Sequence, residues 1–515
     1  MKVVSAQQMR DIERRSAELG LPSAALMDNA GLAFAREVRR WRGSIVSSPV
    51  LVLVGPGNNG GDGLVAARHL HDWGARVHLY LYGQRTDADP NYRLAREREI
   101  AMTEAGEDGG FTLLRRLLAS AEVVIDALLG TGRLRPIEGV LKGVLSEVGV
   151  AKERRPSLAI VALDLPTGLD ADSGAADPAC LAADLTVTLG YPKLGLFAFP
   201  GAARVGRLVV ADIGIPPRLG EGVPVEMITP HWAKAALPQR PLDAHKGTFG
   251  RVLAVVGSIN YIGAAYLACA GAARVGAGLV TLATARSLLP ILAAKLTEVT
   301  YIPLPEAEEG VIAAEAAPVV KEELGGSVLL LGCGLGQHPS TVEFVQRLLS
   351  DASPMASVID ADGLNILARM PEWWRNWEGE AVLTPHPGEM ARLTGLPMEE
   401  IQSKRLEVAQ QAAARWGKVV VLKGAHTVVT SPRGRAGISP VANPGLASAG
   451  TGDVLAGAIA GLLAQGLSPF DAAAGGVYLH AAAGGVVRER LGDAGMLASD
   501  LLQTLPLVIK GLKTP

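Results

Sequence analysis

Short apolar runs that each end on a glycine or an aspartate alternate with stretches of helical periodicity, twice along this chain. In the first series, VLVLVG (Val50 to Gly55), VHLYLYG (Val77 to Gly83), VVIDALLG (Val123 to Gly130) and AIVALDLPTG (Ala159 to Gly168) are the clearest strands, and a last one is expected over Arg207 to Ile213. Segments apolar on one face, such as GLVAARHLHDWG, lie between them. Strands alternating with helices predict βαβ units in a parallel, doubly wound sheet. After a Pro-containing stretch from Pro216 to Pro241 the pattern restarts with RVLAVVGS (Arg251 to Ser258), LVTLAT, VLLLGCGLG, SVIDADGLN, AVLTPHPGE and VVVLKGAHTVV, and a helical end runs on from Asp453. Both halves therefore read as α/β, with a boundary near residue 230 that gives domains 1–229 and 230–515. The halves share a style and no internal repeat.

Composition supports this and excludes several classes. At 515 residues the chain exceeds one compact core, and its 61 glycines, beside 49% apolar residues, suit buried strands joined by tight loops. The 49 Lys and Arg against 51 Asp and Glu leave a net charge of −2, so no positive field invites nucleic acid or an anionic membrane. The densest basic patch, Arg93 to Arg98, mixes signs at helical spacing and reads as a solvated helix face. Cys180, Cys269 and Cys333 are far apart and give neither a disulfide framework nor a zinc site. Charge arrives by Arg10 and Asp11, so the start does not read as a signal peptide. The uncharged window Val252 to Ala273 is long enough to span a bilayer, but Gly257-Ser258-Ile259-Asn260 in its middle reads as strand, loop and helix start. The expectation is a cytoplasmic protein. Glycine-rich faces with few charges suit subunit packing and favour a homo-oligomer.

The loops carry the chemistry. GPGNNGGDG (Gly55 to Gly63) follows a strand and opens a helix, where free backbone N–H groups and close approach favour a ligand. It is neither GxGxxG nor a P-loop, and the alternative is a turn with an Asx cap. Asp126 closes VVID and Asp164 closes VALD, so three oxygen-rich loops should converge on one sheet edge. Asn59, Asp126 and Thr167 offer oxygens to a hard cation; for each aspartate alone, a helix cap is the alternative.

GNNGGDG, VIDALLGTG and DLPTGLDADSG, preceded by MDNAG (Met27 to Gly31), resemble the epimerase domain of bifunctional NAD(P)H-hydrate repair enzymes. The resemblance runs through the first half and implies a Rossmann-like sheet that epimerises the R and S forms of hydrated NAD(P)H with bound potassium. It assigns hydrate contacts to Asn58, Asn59, Gly60, Gly61 and Asp62, and to Gly130, Thr131, Gly132, Arg133, Leu134, Arg135 and Pro136. It gives potassium to Asn59, Asp126 and Thr167, and sets Asp164 at the reacting ring. The ring hydroxyl must leave and return on the other face, which requires a proton shuttle, and Asp164 is the expected one. Lys193, in GYPKLG, is a second candidate, with a surface lysine as the alternative.

In the second half, ASAGTGDVLAG (Ala447 to Gly457) opens an apolar helix. N–H groups of Gly450, Thr451 and Gly452 would cradle a transferring phosphoryl group, with Asp453 placed to take a proton. This half resembles the ribokinase-like fold. HKGTFG (His245 to Gly250), Gly334-Leu335-Gly336, DADGLN (Asp360 to Asn365), TPHPGE (Thr384 to Glu389) and KGAHT are similar to its NAD(P)H-hydrate dehydratase branch. Vitamin kinases of that fold tend to read TPNxxE, where this chain has His386. The resemblance assigns the adenine nucleotide to Lys423, Gly424, Ala425, His426 and Thr427, and to Asn443, Pro444, Gly445, Leu446, Ala447, Ser448, Ala449, Gly450, Thr451 and Gly452. Ala264, Gly334, His386 and Asp453 would face the hydrate, although GSINYIGAA departs from the family's more glycine-rich loop. The expected cofactors are Mg²⁺ and K⁺, with ADP as co-substrate and NADHX or NADPHX as substrate. A small-molecule kinase in the second half, or a mere binding module in the first, are the competing readings.

Overall fold

The computed structural model describes residues 1–132, 136–350, 356–375, 377 and 379–514. Arg133, Leu134 and Arg135 lie outside the described residues. The chain divides into two compact units, Met1–Val223 and Pro224–Pro515. The division falls a few residues before the expected 230, because Val225–Met227 is a strand that pairs in parallel with Ala436–Ile438 of the second sheet.

In the first unit the strands are β1 (Pro49–Val54), β2 (Arg76–Leu81), β3 (Ala101–Glu104), β4 (Val123–Ala127), β5 (Ala159–Leu163), β6 (Leu185–Leu189) and β7 (Arg207–Ala211). They form one sheet in the order β3-β2-β1-β4-β5-β6-β7, every neighbouring pair parallel. The chain begins at β1, winds out to β3, then crosses back to β4, so the β1/β4 border is the topological switch where such sheets open a ligand crevice. The strands are apolar because both faces are covered; β1, β4 and β5 are buried almost throughout. Gly55 leaves β1 so close to β4 that a Cβ there would lie 1.7 Å from the Leu128 carbonyl oxygen. Only glycine allows the two strand ends to meet. Strands β3 and β6 were not anticipated. In β6 the sequence LTVTL alternates polar residues that nonetheless sit inside, since Thr186 donates to the Val205 carbonyl at 2.7 Å and Thr188 to Asp164 at 3.0 Å.

The second unit holds β8 (Val225–Met227), β9 (Arg251–Val255), β10 (Leu279–Ala285), β11 (Thr300–Leu304), β12 (Glu306–Glu308), β13 (Val311–Ile312), β14 (Val328–Leu331), β15 (Ser357–Ile359), β16 (Ala381–Leu383), β17 (Val419–Leu422), β18 (Val428–Thr430) and β19 (Ala436–Ile438). Ten of these form one sheet in the order β11-β10-β9-β14-β15-β16-β17-β18-β19-β8, and β12 and β13 form a separate hairpin. Strands from β11 to β17 are parallel; β18 is antiparallel to both its neighbours. The helix Thr451–Ala464 packs on Ile262–Arg274 at contact distance, since a Cβ on Gly457 would lie 2.1 Å from the Ala268 carbonyl oxygen. That close approach holds the N-terminus of the helix at the carboxyl ends of the parallel strands. The window 252–273 is the expected strand, loop and helix, and among the described residues no helix is long and apolar enough to cross a membrane. All three cysteines are free and buried. The Arg93 to Arg98 patch pairs with Asp87, Glu97 and Asp72 at the surface.

Candidate active sites

At the carboxyl edge of the first sheet, the loops after β1, β4 and β5 line a cavity of about 530 Å³ together with Glu13, Met27 and Lys193. The helix Asn58–Asp72 starts at Gly57 with no side-chain cap, so the NNGGDG segment is the open first turn of a helix rather than an Asx-capped turn. Asn58, Asn59, Asp62, Gly130, Thr131, Gly132 and Asp164 all line the cavity. Gly60 and Gly61 are buried beneath it. A Cβ on Gly60 would lie 2.0 Å from the Gly55 carbonyl oxygen and 2.6 Å from Arg85 Nη2. Arg85, not foreseen from the sequence, clamps this loop by donating to the carbonyls of Gly55 and Gly57 at 2.7 Å each and pairing with Asp89.

Asp126 is 2% exposed and ties two loops together. Its Oδ2 accepts from the Thr167 amide at 2.8 Å and its Oδ1 from the Thr167 hydroxyl at 2.6 Å, while the Leu129 amide donates to Thr167 Oγ1 at 3.0 Å. Asn59 donates through Nδ2 to the Leu129 carbonyl at 3.0 Å, which leaves Oδ1 as the free acceptor. Burial pushes the Asp126 carboxyl above its usual range, against the hydrogen bonds from Thr167 and Leu128. No cationic side chain pairs with it among the described residues. A buried carboxylate without a counter-charge, beside an amide oxygen and a threonine, is a donor set that fits a hard monovalent cation.

Asp164 follows β5 with φ +66°, a left-handed conformation costly for a residue with a side chain and one that clusters at functional sites. Its Oδ1 accepts from Thr188 Oγ1 and the Leu189 amide, both at 3.0 Å, and from Lys193 Nζ. Lys193 is 1% exposed and also donates to the Leu189 carbonyl at 3.1 Å, so it is a buried partner and not the surface lysine of the alternative reading. Burial pushes the Asp62 carboxyl well above the usual range, with Asp164 and Glu13 adding to the effect and Lys193 opposing it. Burial also raises Glu13, again opposed by Lys193.

In the second unit, Asp360 ends β15 with 1% exposure. Its Oδ1 accepts from Lys423 Nζ at 2.5 Å and from Thr384 Oγ1 at 2.7 Å. Lys423 also lies 3.7 Å from Glu389. Burial alone would lower the lysine, but Asp360 and Glu389 outweigh it and hold the ammonium above its usual range. Ligand atoms of Cys333, Asp360 and Asp453 lie within 4.8 Å of one another. Burial, with Asp360 next, lifts Asp453 to about 7, partly offset by Cys333 and Lys423. Cys333, Asp360, Glu389 and Thr384 lie within quoted motifs, but only the fold brings them together.

The helix Thr451–Ala464 begins after Gly450, whose φ is +87°. The Thr451 amide donates to the Ser448 carbonyl at 3.4 Å, and the Thr451 hydroxyl to the carbonyls of Leu446 and Ser448 at 2.9 Å each. His480 meets the Thr451 carbonyl at 2.9 Å from the neighbouring helix. Thr451 thus braces the turn, and the amides of Gly450, Gly452 and Asp453, which find no protein partner among the described residues, carry the anion-binding potential. A Cβ on Gly452 would lie 3.6 Å from Lys423 Nζ. Asn443 accepts from the Gly445 amide at 3.0 Å, and Ser448 donates to the Gly445 carbonyl at 3.1 Å. Gly424 sits against the Arg405 guanidinium, and His426, at φ +52°, turns its ring to the Ser439 carbonyl at 3.1 Å.

Ala264 and Gly334 are neighbours, since a Cβ on Gly334 would lie 2.7 Å from that of Ala264. His386 caps the helix Pro387–Thr394: Nδ1 accepts from the Gly388 amide at 3.0 Å, and Glu389 returns the bond to the His386 amide at 2.8 Å. Burial, Lys423 and Arg392 lower its pKa, and Nε2 lies 3.4 Å from Glu389 Oε1. The histidine chosen for substrate contact therefore has a structural duty as well.

Two α/β units, each with acidic groups and open helix amides gathered at its strand carboxyl ends, define an enzyme with two separate sites. A family model described as NAD(P)H-hydrate dehydratase matches residues 252–507, and one described as YjeF-related protein N-terminus matches residues 23–195. The bifunctional NAD(P)H-hydrate repair enzyme Nnr of Moorella thermoacetica is 42% identical, covering 100% of this chain and 97% of that protein. The protein of the same description from Escherichia coli strain K12 is 36% identical over 98% and 93% of the two chains. A solved ADP/ATP-dependent NAD(P)H-hydrate dehydratase from Bacillus subtilis, co-crystallized with ATP/Mg²⁺, is 33% identical, with 56% of this chain and 99% of that one covered at a TM-score of 0.49. The chain belongs to the family of bifunctional NAD(P)H-hydrate repair enzymes, and the NAD(P)H-hydrate dehydratase model falls on its second unit.

Removing the lysine from the first site strands the carboxylate. Lys193→Met should destabilise the protein by about 3–5 kcal/mol, the usual loss when one member of a buried ion pair is deleted. Denaturant unfolding of the full chain, followed in the transition of the first unit, measures this; an unchanged midpoint would deny the pair its structural weight.

Proposed function

We propose that this chain repairs hydrated NAD(P)H: the first unit interconverts the R and S hydrates, and the second dehydrates the S hydrate using ADP, with AMP and phosphate as products. The observation that carries the reading is that one chain, matched over its whole length by repair enzymes, holds both an acid-lined cavity and a phosphate-type helix N-terminus with a carboxyl beside it.

In the second unit, Asp453 takes the proton from the hydroxyl on the ring carbon beside nitrogen, and that oxygen attacks the terminal phosphoryl group of ADP. The amides of Gly450, Gly452 and Asp453 receive the negative charge of the transferring group, with the Lys423 ammonium close to Gly452. Hydroxide leaves poorly and phosphate leaves well, so the ring nitrogen then expels phosphate and loss of a proton restores NAD(P)H. Lys423 to Thr427 and Asn443 to Gly452 form the nucleotide site, and Ala264, Gly334 and His386 face the hydrate. Mg²⁺ would neutralise phosphate charge in such a transfer; Asp360 Oδ1 is already engaged by Lys423 and Thr384, so the ion would be carried chiefly by the phosphates of the nucleotide.

In the first unit, Asn58 to Asp62 and Gly130 to Gly132 face the hydrate, with Asp164 at the reacting ring. Asn59, Asp126 and Thr167 would hold K⁺, which would supply the positive charge that the buried Asp126 lacks among the described residues, at the point where Asp126 and Thr167 tie two loops together.

Asp453→Asn should abolish dehydration and leave R-to-S exchange intact, whereas Asp164→Asn should do the reverse, seen as NADH formation that stops once the S hydrate is consumed. Equal loss of both activities in either variant would refute the division of labour. A base acts only when ionised, so the dehydration rate should rise with pH through about 7, where Asp453 titrates, and fall below it. A pH-rate profile on the pure S hydrate reads this; a flat acid side would take Asp453 out of the base role.

A further inference from the structure

One face of the first cavity has a carboxyl that the reading above places against the hydrate but gives no part in the chemistry. Asp62 lies in the first turns of the helix Asn58–Asp72, half-buried, and its carboxyl makes no hydrogen bond or ion pair among the described residues. Asp164 is its opposite in every respect: Oδ1 takes three donors, including a buried ammonium, which fixes the carboxylate plane and leaves Oδ2 without a protein partner among the described residues. Both residues line the same cavity. Two carboxyl groups in one cavity, one ion-paired and one without a partner among the described residues, have the environments that separate a base from an acid.

We propose that Asp62 is a second catalytic residue of this cavity: it protonates the departing ring hydroxyl while Asp164, steered by Lys193, takes the proton from the water that adds to the opposite face. This rests on the reading of the cavity as the epimerisation site. The carbon–oxygen bond breaks with its electron pair going to oxygen, which leaves as water with the Asp62 proton, and the ring nitrogen lone pair closes an iminium to that carbon. A water oxygen then bonds to the carbon from the other side, the iminium electrons return to nitrogen, and the surplus proton passes to Asp164. One water leaves and one enters, with no redox change. Asp62 ends ionised and Asp164 protonated; exchange with solvent resets them, and the reverse reaction uses the same two groups with roles swapped.

Glu13 also lines the cavity, but Lys193 and Arg10, the latter one helical turn away, both oppose the rise that burial gives it, so its proton is less committed to the cavity. The charged groups acting on Asp62 are Asp164, Glu13 and Lys193. The other elements packed on its helix bring Asp28, held by Arg68 at 3.2 Å, and Asp126, held by Thr167. The balance of burial and these charges keeps the Asp62 carboxyl protonated beyond the ordinary carboxylate range, as a donor requires.

The test uses the full chain with pure R hydrate, ADP, Mg²⁺ and K⁺, where NADH appears only after inversion. Asp62→Asn should lower kcat by about 100-fold or more with little change in KM, while dehydration of S hydrate by the same preparation stays at the wild-type rate. The wild-type inversion rate should fall as pH rises through the Asp62 titration, since an acid works only when protonated, and that fall should persist in Asp62→Glu. With ADP omitted, the S hydrate formed in ¹⁸O-water should carry the label at its ring hydroxyl. Inversion by Asp62→Asn within about threefold of wild type, an inversion rate that does not decline with rising pH, or an unlabelled product would each overturn the assignment. If wild type itself shows no exchange between R and S forms, the epimerase reading falls instead, so the two failures are distinguishable.

Discussion

A carboxylate carried into the interior at the end of a parallel strand must find positive charge or give up its own. Both units meet this constraint at the place where their chemistry belongs. In the first, Asp164 after β5 is answered by Lys193; in the second, Asp360 after β15 is answered by Lys423. Each lysine comes from the loop beyond another strand of the same sheet, so each pair ties two strand ends together and fixes the floor of the crevice above. Asp126, buried as deeply and lacking a lysine, is the exception, and it is the group around which a potassium site can be built.

The remaining geometry depends on that floor. Glycines admit backbone where no Cβ would fit: Gly55 against Leu128 sets the β1/β4 border, and Gly457 against Ala268 seats the helix whose N-terminus holds Asp453. Backbone strain is spent at the same edges, at Asp164 and His426. The catalytic assignments follow from electrostatics. Asp164 sits beside an ammonium, whereas burial and neighbouring acids raise the Asp62 and Asp453 carboxyls. In the first site, one lysine thus separates the base from the acid among residues of the same type.

The parallel strands after which the loops emerge were legible because buried strands are continuous apolar runs. What was missed shares a cause. Strand β6 carries threonines whose hydroxyls are satisfied by Val205 and Asp164, contacts that no local pattern reveals. Lys193 read equally well as a surface residue, because its partner lies 29 positions earlier in the chain. Asp62, Asn59 and Asp453 were visible because they lie beside glycines at helix starts, where local sequence dictates exposure of backbone amides. Cys333, Glu389 and Arg85 were not singled out, since their roles arise only from what the fold sets against them. His386 stands out by its departure from a motif; its capping bonds show that the same position also starts a helix.

The central claim is that one chain holds two complementary activities. It is tested most directly by the near-ultraviolet absorbance of a mixed R and S NADHX sample incubated with the full chain, Mg²⁺, K⁺ and ADP. The account predicts complete recovery of NADH, with AMP and phosphate formed in equal amounts. Recovery that stops at the S fraction would contradict the role of the first unit, and a stable phosphorylated product without NADH would contradict that of the second.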